Sequence, residues 1–135
     1  MPMTKDDIDA VSMTLLVDGD RAFQIYLTRG GLTQRQGSSD RPDASAVSVK
    51  GGTDCFEPFL AAMPDTVLQQ DGGVLDDGSS GPPRHEWRFE FGGGMQSLVY
   101  DVAYDPRASA LPDEFADIVV LAERLTHAWH VAAVA

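Results

Sequence analysis

Cysteine is almost absent: Cys55 is the single one among 135 residues. No intrachain disulfide can therefore staple the fold, and no cysteine cluster can hold a metal ion. One lone thiol fits a reducing compartment. Basic residues are scarce too. Ten Lys and Arg stand against twenty-one Asp and Glu, a formal net charge of -11. A field of that sign repels phosphate backbones and anionic headgroups, so neither nucleic acid nor a membrane is an expected partner. It favours fast encounter with a protein whose surface is basic. Long apolar runs are also missing, and the acidic opening Met1-Pro2-Met3-Thr4-Lys5-Asp6-Asp7 has no apolar stretch behind it. No membrane span or signal peptide is expected, and the cytoplasm is the default location.

The motifs of common chemistries are missing as well. Gly92-Gly93-Gly94 has no following Lys-Ser/Thr and no following helix, so it is not a phosphate loop. Gly78-Ser79-Ser80-Gly81 is not the strand-to-helix elbow of a serine hydrolase. Asp18-Gly19-Asp20 and the acidic run from Asp71 to Asp77 do not have the spacing of a calcium loop. No cofactor is expected.

What is present is alternation. Val11, Met13, Leu15 and Val17 share one strand face, with Ser12 and Thr14 opposite, and Phe23, Ile25 and Leu27 restart the period after Asp18-Gly19-Asp20. A three-residue loop at 18–20 sets Leu15 against Phe23, Met13 against Ile25 and Val11 against Leu27; a two-residue loop would set those apolar residues against Ser12 and Thr14. Gly30-Gly31 then turns the chain into Leu32-Thr33-Gln34-Arg35-Gln36, which is too polar for a central strand and reads as an exposed edge. Residues 37–45 read as a polar loop, followed by a short strand around Val47 and Val49. Residues 71–83 are the most loop-like stretch of the chain. His85, Trp87, Phe89 and Phe91 then face one way and Glu86, Arg88 and Glu90 the other, with Leu98, Tyr100, Val102 and Tyr104 as the partner strand. A two-residue turn at Gly93-Gly94 pairs Phe89 with Leu98 and Trp87 with Tyr100.

Two helices complete the pattern. Phe56, Phe59, Leu60 and Met63 fall on one helical face, with Asp54 and Glu57 spaced as a capping box and Met63-Pro64 as the stop. Pro58 favours Glu57 as the cap, because proline prefers the first helical position. Pro112 opens the last helix, Asp113 and Glu114 suit its N-terminus, and Phe115, Ile118, Val119, Ala122, Leu125 and Trp129 make its apolar stripe. The expected fold is α+β: an antiparallel sheet of about five to six strands built from β-hairpins, with a short middle helix and a long C-terminal helix on one face. Residues 1–10 read as a flexible lead-in, 11–130 as a single domain and 131–135 as a C-terminal tail.

Few residues stand out as chemical candidates. Cys55, His85 and His127 are the available nucleophile and bases, yet Asp54 and Glu57 beside Cys55 disfavour a thiolate. A cysteine in this setting reads first as a small buried hydrophobe. His127 and His130, three apart with Glu123 one turn before, resemble a partial zinc set, but histidine near a helix C-terminus is favoured by the macrodipole without any metal. No metal ligand is assigned. Glu86 and Glu90 flank Arg88 on one strand face and read as a salt-bridged exterior rather than an acid–base pair. A small acidic protein-binding module, an inhibitor or immunity-like partner of a basic protein, is therefore favoured over an enzyme. Its expected contact is the edge formed by Leu32, Gln34 and Gln36. The rival reading is a small enzyme or ligand carrier with a pocket between the sheet and the last helix. A homo-oligomer is compatible with both.

Overall fold

A computed structural model describes residues 4–37, 47–51, 55–69, 72–79, 81–94 and 96–134. The first alternating runs form β1 (Ala10–Val17) and β2 (Asp20–Thr28), with Leu15 opposite Phe23, Met13 opposite Ile25 and Val11 opposite Leu27. That is the expected apolar register. The connection differs in detail: Val17 faces Asp20 and Leu16 faces Arg21, so only Asp18 and Gly19 lie between the strands. Both have positive φ, 52° and 91°, as a type I′ hairpin turn requires. Ala22 is the extra residue, absorbed as a bulge beside Leu15 and Leu16. The bulge does what a longer loop would have done, returning Phe23 to the apolar face.

Leu32–Gln36 is β3, and it is not an edge. It pairs with β2 on one side and with β4 (Val47–Gly51) on the other. The expectation of an exposed edge fails because polarity was read along the whole segment rather than face by face. Thr33 and Arg35 stand opposite Leu27 and Ile25 on the covered side and are only 2% and 3% exposed. Arg35 is tolerated there because Nε donates to Gly37 O at 3.1 Å, while Nη1 donates to Glu123 O at 3.1 Å and to Thr126 Oγ1 at 3.0 Å. Its Nη2 lies 3.6 Å from the Glu123 carboxylate. A buried guanidinium is stable only with such partners.

The middle helix, α1 (Phe56–Ala62), buries Phe56, Phe59 and Leu60 and ends at the extended Met63. Its N-cap is Cys55, which makes no side-chain cap hydrogen bond, so Glu57 is not the cap. Pro58 sits in the first turn, where its missing N–H has no intrahelical acceptor to lose. Asp54 lies outside the described residues, as do residues 38–46 of the expected polar loop. A 3-10 turn at Asp65–Gln69 buries Val67 and Leu68. The stretch expected as pure loop then contains a strand, β5 (Gly73–Asp76).

The second hairpin is β6 (His85–Gly93) and β7 (Gln96–Tyr104). Its register corrects the expected one by two residues: Phe89 faces Tyr100, Trp87 faces Val102 and Phe91 faces Leu98. An even shift keeps every apolar residue on its face, so apolar matching alone cannot separate the two registers. Packing against the N-terminal segment decides. A Cβ on Gly93 would lie 1.6 Å from Asp7 O, so Gly93 is a strand residue beneath that segment, paired with Gln96, and the turn begins beyond it. Residues 4–9 of the expected flexible lead-in pack against the sheet. Lys5–Asp7 forms a 3-10 turn, Ile8 is fully buried, and the Asp9 N–H donates to Gly92 O at 2.7 Å.

Together the strands make one seven-stranded sheet in the order β4-β3-β2-β1-β6-β7-β5. All pairs are antiparallel except β5 with β7. The long helix α2 (Asp113–Val134) runs through most of what was expected to be a tail. Its first free N–H groups find Pro112 O, from Phe115 at 3.0 Å and Ala116 at 2.9 Å. Phe115, Ile118, Val119 and Ala122 are buried against the sheet, Phe115 within 4.9 Å of the Phe89 ring. The side chain of Trp129 lies outside the described set.

Two substitutions test this packing. Gly93→Ala forces Cβ into the Asp7 carbonyl and is expected to cost about 1–3 kcal/mol in a urea titration, because backbone must move. Leu125→Ala is expected to cost about 2 kcal/mol and Phe115→Ala about 3–5 kcal/mol, since Leu125 is only partly buried and Phe115 fully so. Equal losses at the two positions would mean that α2 is not seated as described.

Candidate functional site

The three chemical candidates are not brought together. Cys55 is 3% exposed at the start of α1, and its thiol donates to Leu125 O at 3.4 Å. His127 is exposed on α2. His85 begins β6, beside Tyr104 at the end of β7, with ring centroids 5.7 Å apart. Among the described residues no group of three His, Cys, Asp or Glu side chains is placed to hold a metal ion; the His130 side chain lies outside that set.

Leu32, Gln34 and Gln36 project from the outer face of β3, where Leu32 is 42% exposed. Gln34 and Gln36 are paired on both sides and Leu32 with Gly51 of β4, so this strand cannot accept an added one. Among the described residues the sheet instead ends at β4 and β5. At β5, Val74 is 71% exposed and Leu75 48%. In this parallel pair Val74 stands beside Asp101 on the outer face, and Leu75 beside Val102 on the inner. Alternation could not find this strand, because four residues between glycines give no period to read.

Carboxylates surround that edge. Asp76 meets Arg84 at 2.8 Å, Glu86 meets Arg84 at 3.4 Å, and Asp101 meets Arg88 at 3.7 Å. Arg88 also meets Glu90 at 2.9 Å, which makes the outer face of β6 the salt-bridged exterior expected. Asp77 is held far below the usual carboxylate range by hydrogen bonds from the Ser79 hydroxyl and the Asp105 and Ser79 N–H groups. Hydrogen bonds from the Arg107 side chain and N–H lower Asp105 as well. Both carboxylates therefore remain charged well into acid. On the outer face, Thr14, Leu16, Arg21, Val74, Arg88 and Asp101 border a shallow concavity of about 400 Å³.

A second hollow lies on the inner side, where the ends of β6 and β7 meet α2 and the loop before it. It measures about 300 Å³, and Leu111, Ala116 and Val119 give it apolar walls. His85, Tyr104 and Ser109 are its polar side chains apart from the Trp87 indole. Trp87 Nε1–H donates to the Tyr104 hydroxyl at 3.2 Å. Burial raises the Tyr104 phenol, opposed by hydrogen bonding from Trp87 and the Leu111 backbone. Burial lowers the His85 imidazole, opposed by the charge of Asp18. His85 is thus neutral at pH 7.

The depressed His85 sets a pH dependence. Below about pH 6.5 the unfolded chain takes up a proton that the folded imidazole resists, so stability falls with pH until the folded value is passed. Above that range His85 contributes nothing to the slope. Urea midpoints at pH 7 and pH 5 should therefore fall further for the native chain than for His85→Gln. A His85 ring resonance that titrates above 6.5 would contradict this. No family model, no curated protein and no solved structure matches the chain.

Proposed function

We propose that the protein is a small, non-enzymatic protein-binding module, an inhibitor or immunity-like partner of a basic protein, and that it receives an extended segment of that partner beside β5. One observation carries the reading: an edge strand with two solvent-exposed apolar residues, Val74 and Leu75, sits among the carboxylates Asp76, Glu86 and Asp101. Edge strands are ordinarily protected by lysine, proline, a bulge, charge or shortness; Gly73–Asp76 is short and ends in Asp76, but has no lysine, proline or bulge. Its four residues offer only a short ladder, so apolar contact at Val74 and Leu75 must supply the remaining affinity, with charge acting on encounter.

The basic side chains support a partner of opposite charge. Lys5, Arg29, Arg35, Arg84, Arg88 and Arg107 each face a carboxylate of the chain itself. Arg29 and Arg35, the densest basic spot in the sequence, are both committed to internal partners. Among the described side chains only Arg21 and Arg124 stand outside those ion pairs, too few for a track along phosphates.

Val74→Lys tests the proposal, because a lysine beside Asp101 blunts the edge and changes its charge while leaving the core alone. With unchanged thermal stability, the variant should recover at least tenfold less of the partner than the native chain does in cross-linked pull-downs from the source cell, with benzonase present. The native association rate should fall as salt rises. Nucleic acid retained through moderate salt, or a partner indifferent to Val74→Lys, would sink the reading.

A further inference from the structure

The hollow beside His85 has no part in that surface, and its chemistry points elsewhere. We propose that it is a binding site for a small, uncharged, mostly apolar molecule with one carbonyl-type hydrogen-bond acceptor, seated against the Tyr104 hydroxyl.

The polar group comes first. Tyr104 is 8% exposed, and its hydroxyl oxygen accepts from Trp87 Nε1–H at 3.2 Å. Among the described residues no acceptor takes the Tyr104 O–H proton. A hydroxyl whose donor is free gains from a group that accepts from it, and Tyr104 borders the hollow. The Trp87 bond fixes the oxygen in place before any ligand arrives.

The lining sets the charge of the ligand. No Asp, Glu, Lys or Arg borders the cavity, so an ion entering it would lose hydration without gaining a counter-charge. An anion would also have to approach against the net charge of -11. His85 is neutral at pH 7 for the same reason of burial and offers one donor and one acceptor rather than a cation. The size sets the rest. About 300 Å³ is at the small end of ligand sites, enough for a single ring or a short branched chain. Leu15, Trp87, Leu111, Ala116 and Val119 provide the apolar walls, and Val120, 59% exposed, stands at the rim.

Three probes of one shape test the site on the full chain: cyclohexanone, methylcyclohexane and cyclohexanecarboxylate, followed by NMR at the Trp87 indole N–H and the His85 ring. Cyclohexanone should shift both resonances saturably at millimolar concentration, and the carboxylate should bind at least tenfold more weakly. Tyr104→Phe should weaken the ketone by about threefold to tenfold, the value of one hydrogen bond, and leave the hydrocarbon unchanged. The three-probe comparison on the native chain stands without the variant, should Tyr104→Phe fail to fold. No saturable shift from any probe, a carboxylate that binds as well as the ketone, or a folded Tyr104→Phe that binds the ketone undiminished would overturn the proposal. None of these outcomes touches the β5 edge, which Val74→Lys tests separately.

Discussion

Everything in this fold rests on the ladder between β1 and β6. Residues 10–17 pair with residues 85–92, from Ala10 with Gly92 to Val17 with His85, across most of the chain. Each hairpin alone presents an apolar face two strands wide, too narrow for independent stability. Joined, Val11, Met13 and Leu15 stand opposite Phe91, Phe89 and Trp87, and the two faces become one floor broad enough for a 22-residue helix. Closing so long a loop has an entropic cost that only the completed floor and its covering helix offset. The sheet and the helix that covers it therefore support one another. Phe115 shows the dependence in one residue, touching Phe89 on β6 and Tyr100 on β7 at 4.9 and 5.1 Å.

Two arginines extend that floor to the margins of the sheet. Arg35 carries a charge into the covered face of β3 and ties it to Glu123 and Thr126 on α2. Arg29, at the end of β2, donates to Ile8 O at 2.7 Å, meets Asp9 and Glu57 at 3.2 and 2.9 Å, and lies 5.0 Å over the Phe56 ring. It draws the N-terminal segment and α1 onto the same corner. Burying a charge adds little net stability, but it admits only one arrangement, because a displaced helix would leave Arg35 unpaired away from water. The polar β3 segment is thus central because its polarity is what docks the helix.

These features explain what the sequence made legible and what it concealed. Alternation revealed the four strands of the hairpins and which face of each is buried, since that period is intrinsic to a half-covered strand. It revealed the register of β1 with β2 because an odd shift would have put Leu15 and Phe23 on opposite faces. It could not reveal the register of β6 with β7, where the competing shift is even and the deciding contact is Gly93 against Asp7, distant in sequence. Arg35 was misread for a similar reason. Its partners lie on α2, 88 and 91 residues away, and no local pattern announces them. β5 is held by β7 rather than by its own sequence, and the hollow at His85 exists only once α2 covers the sheet. Cys55, His85 and His127 were visible as residue types, but their separation could be learned only from the fold.

The same architecture constrains how a partner would be held. Asp76, Glu86 and Asp101 already face Arg84 or Arg88, so a basic segment arriving at β5 exchanges one cation for another. Such an exchange at exposed sites adds little net affinity. The acidic surplus of the whole chain still acts at a distance, and it acts on encounter. Residence depends on what the exchange does not cancel: burial of Val74 and Leu75, and backbone pairing along the open side of β5. Charge and apolar contact therefore govern different steps, the first setting the association rate and its salt dependence, the second the dissociation rate. A lysine at position 74 acts on both, by adding to the cations already at the edge and by removing the apolar contact, whereas loss of the Leu75 side chain alone acts only on dissociation. Kinetics that changed in one rate for both substitutions would mean that the edge works through charge or through burial, but not through the two together.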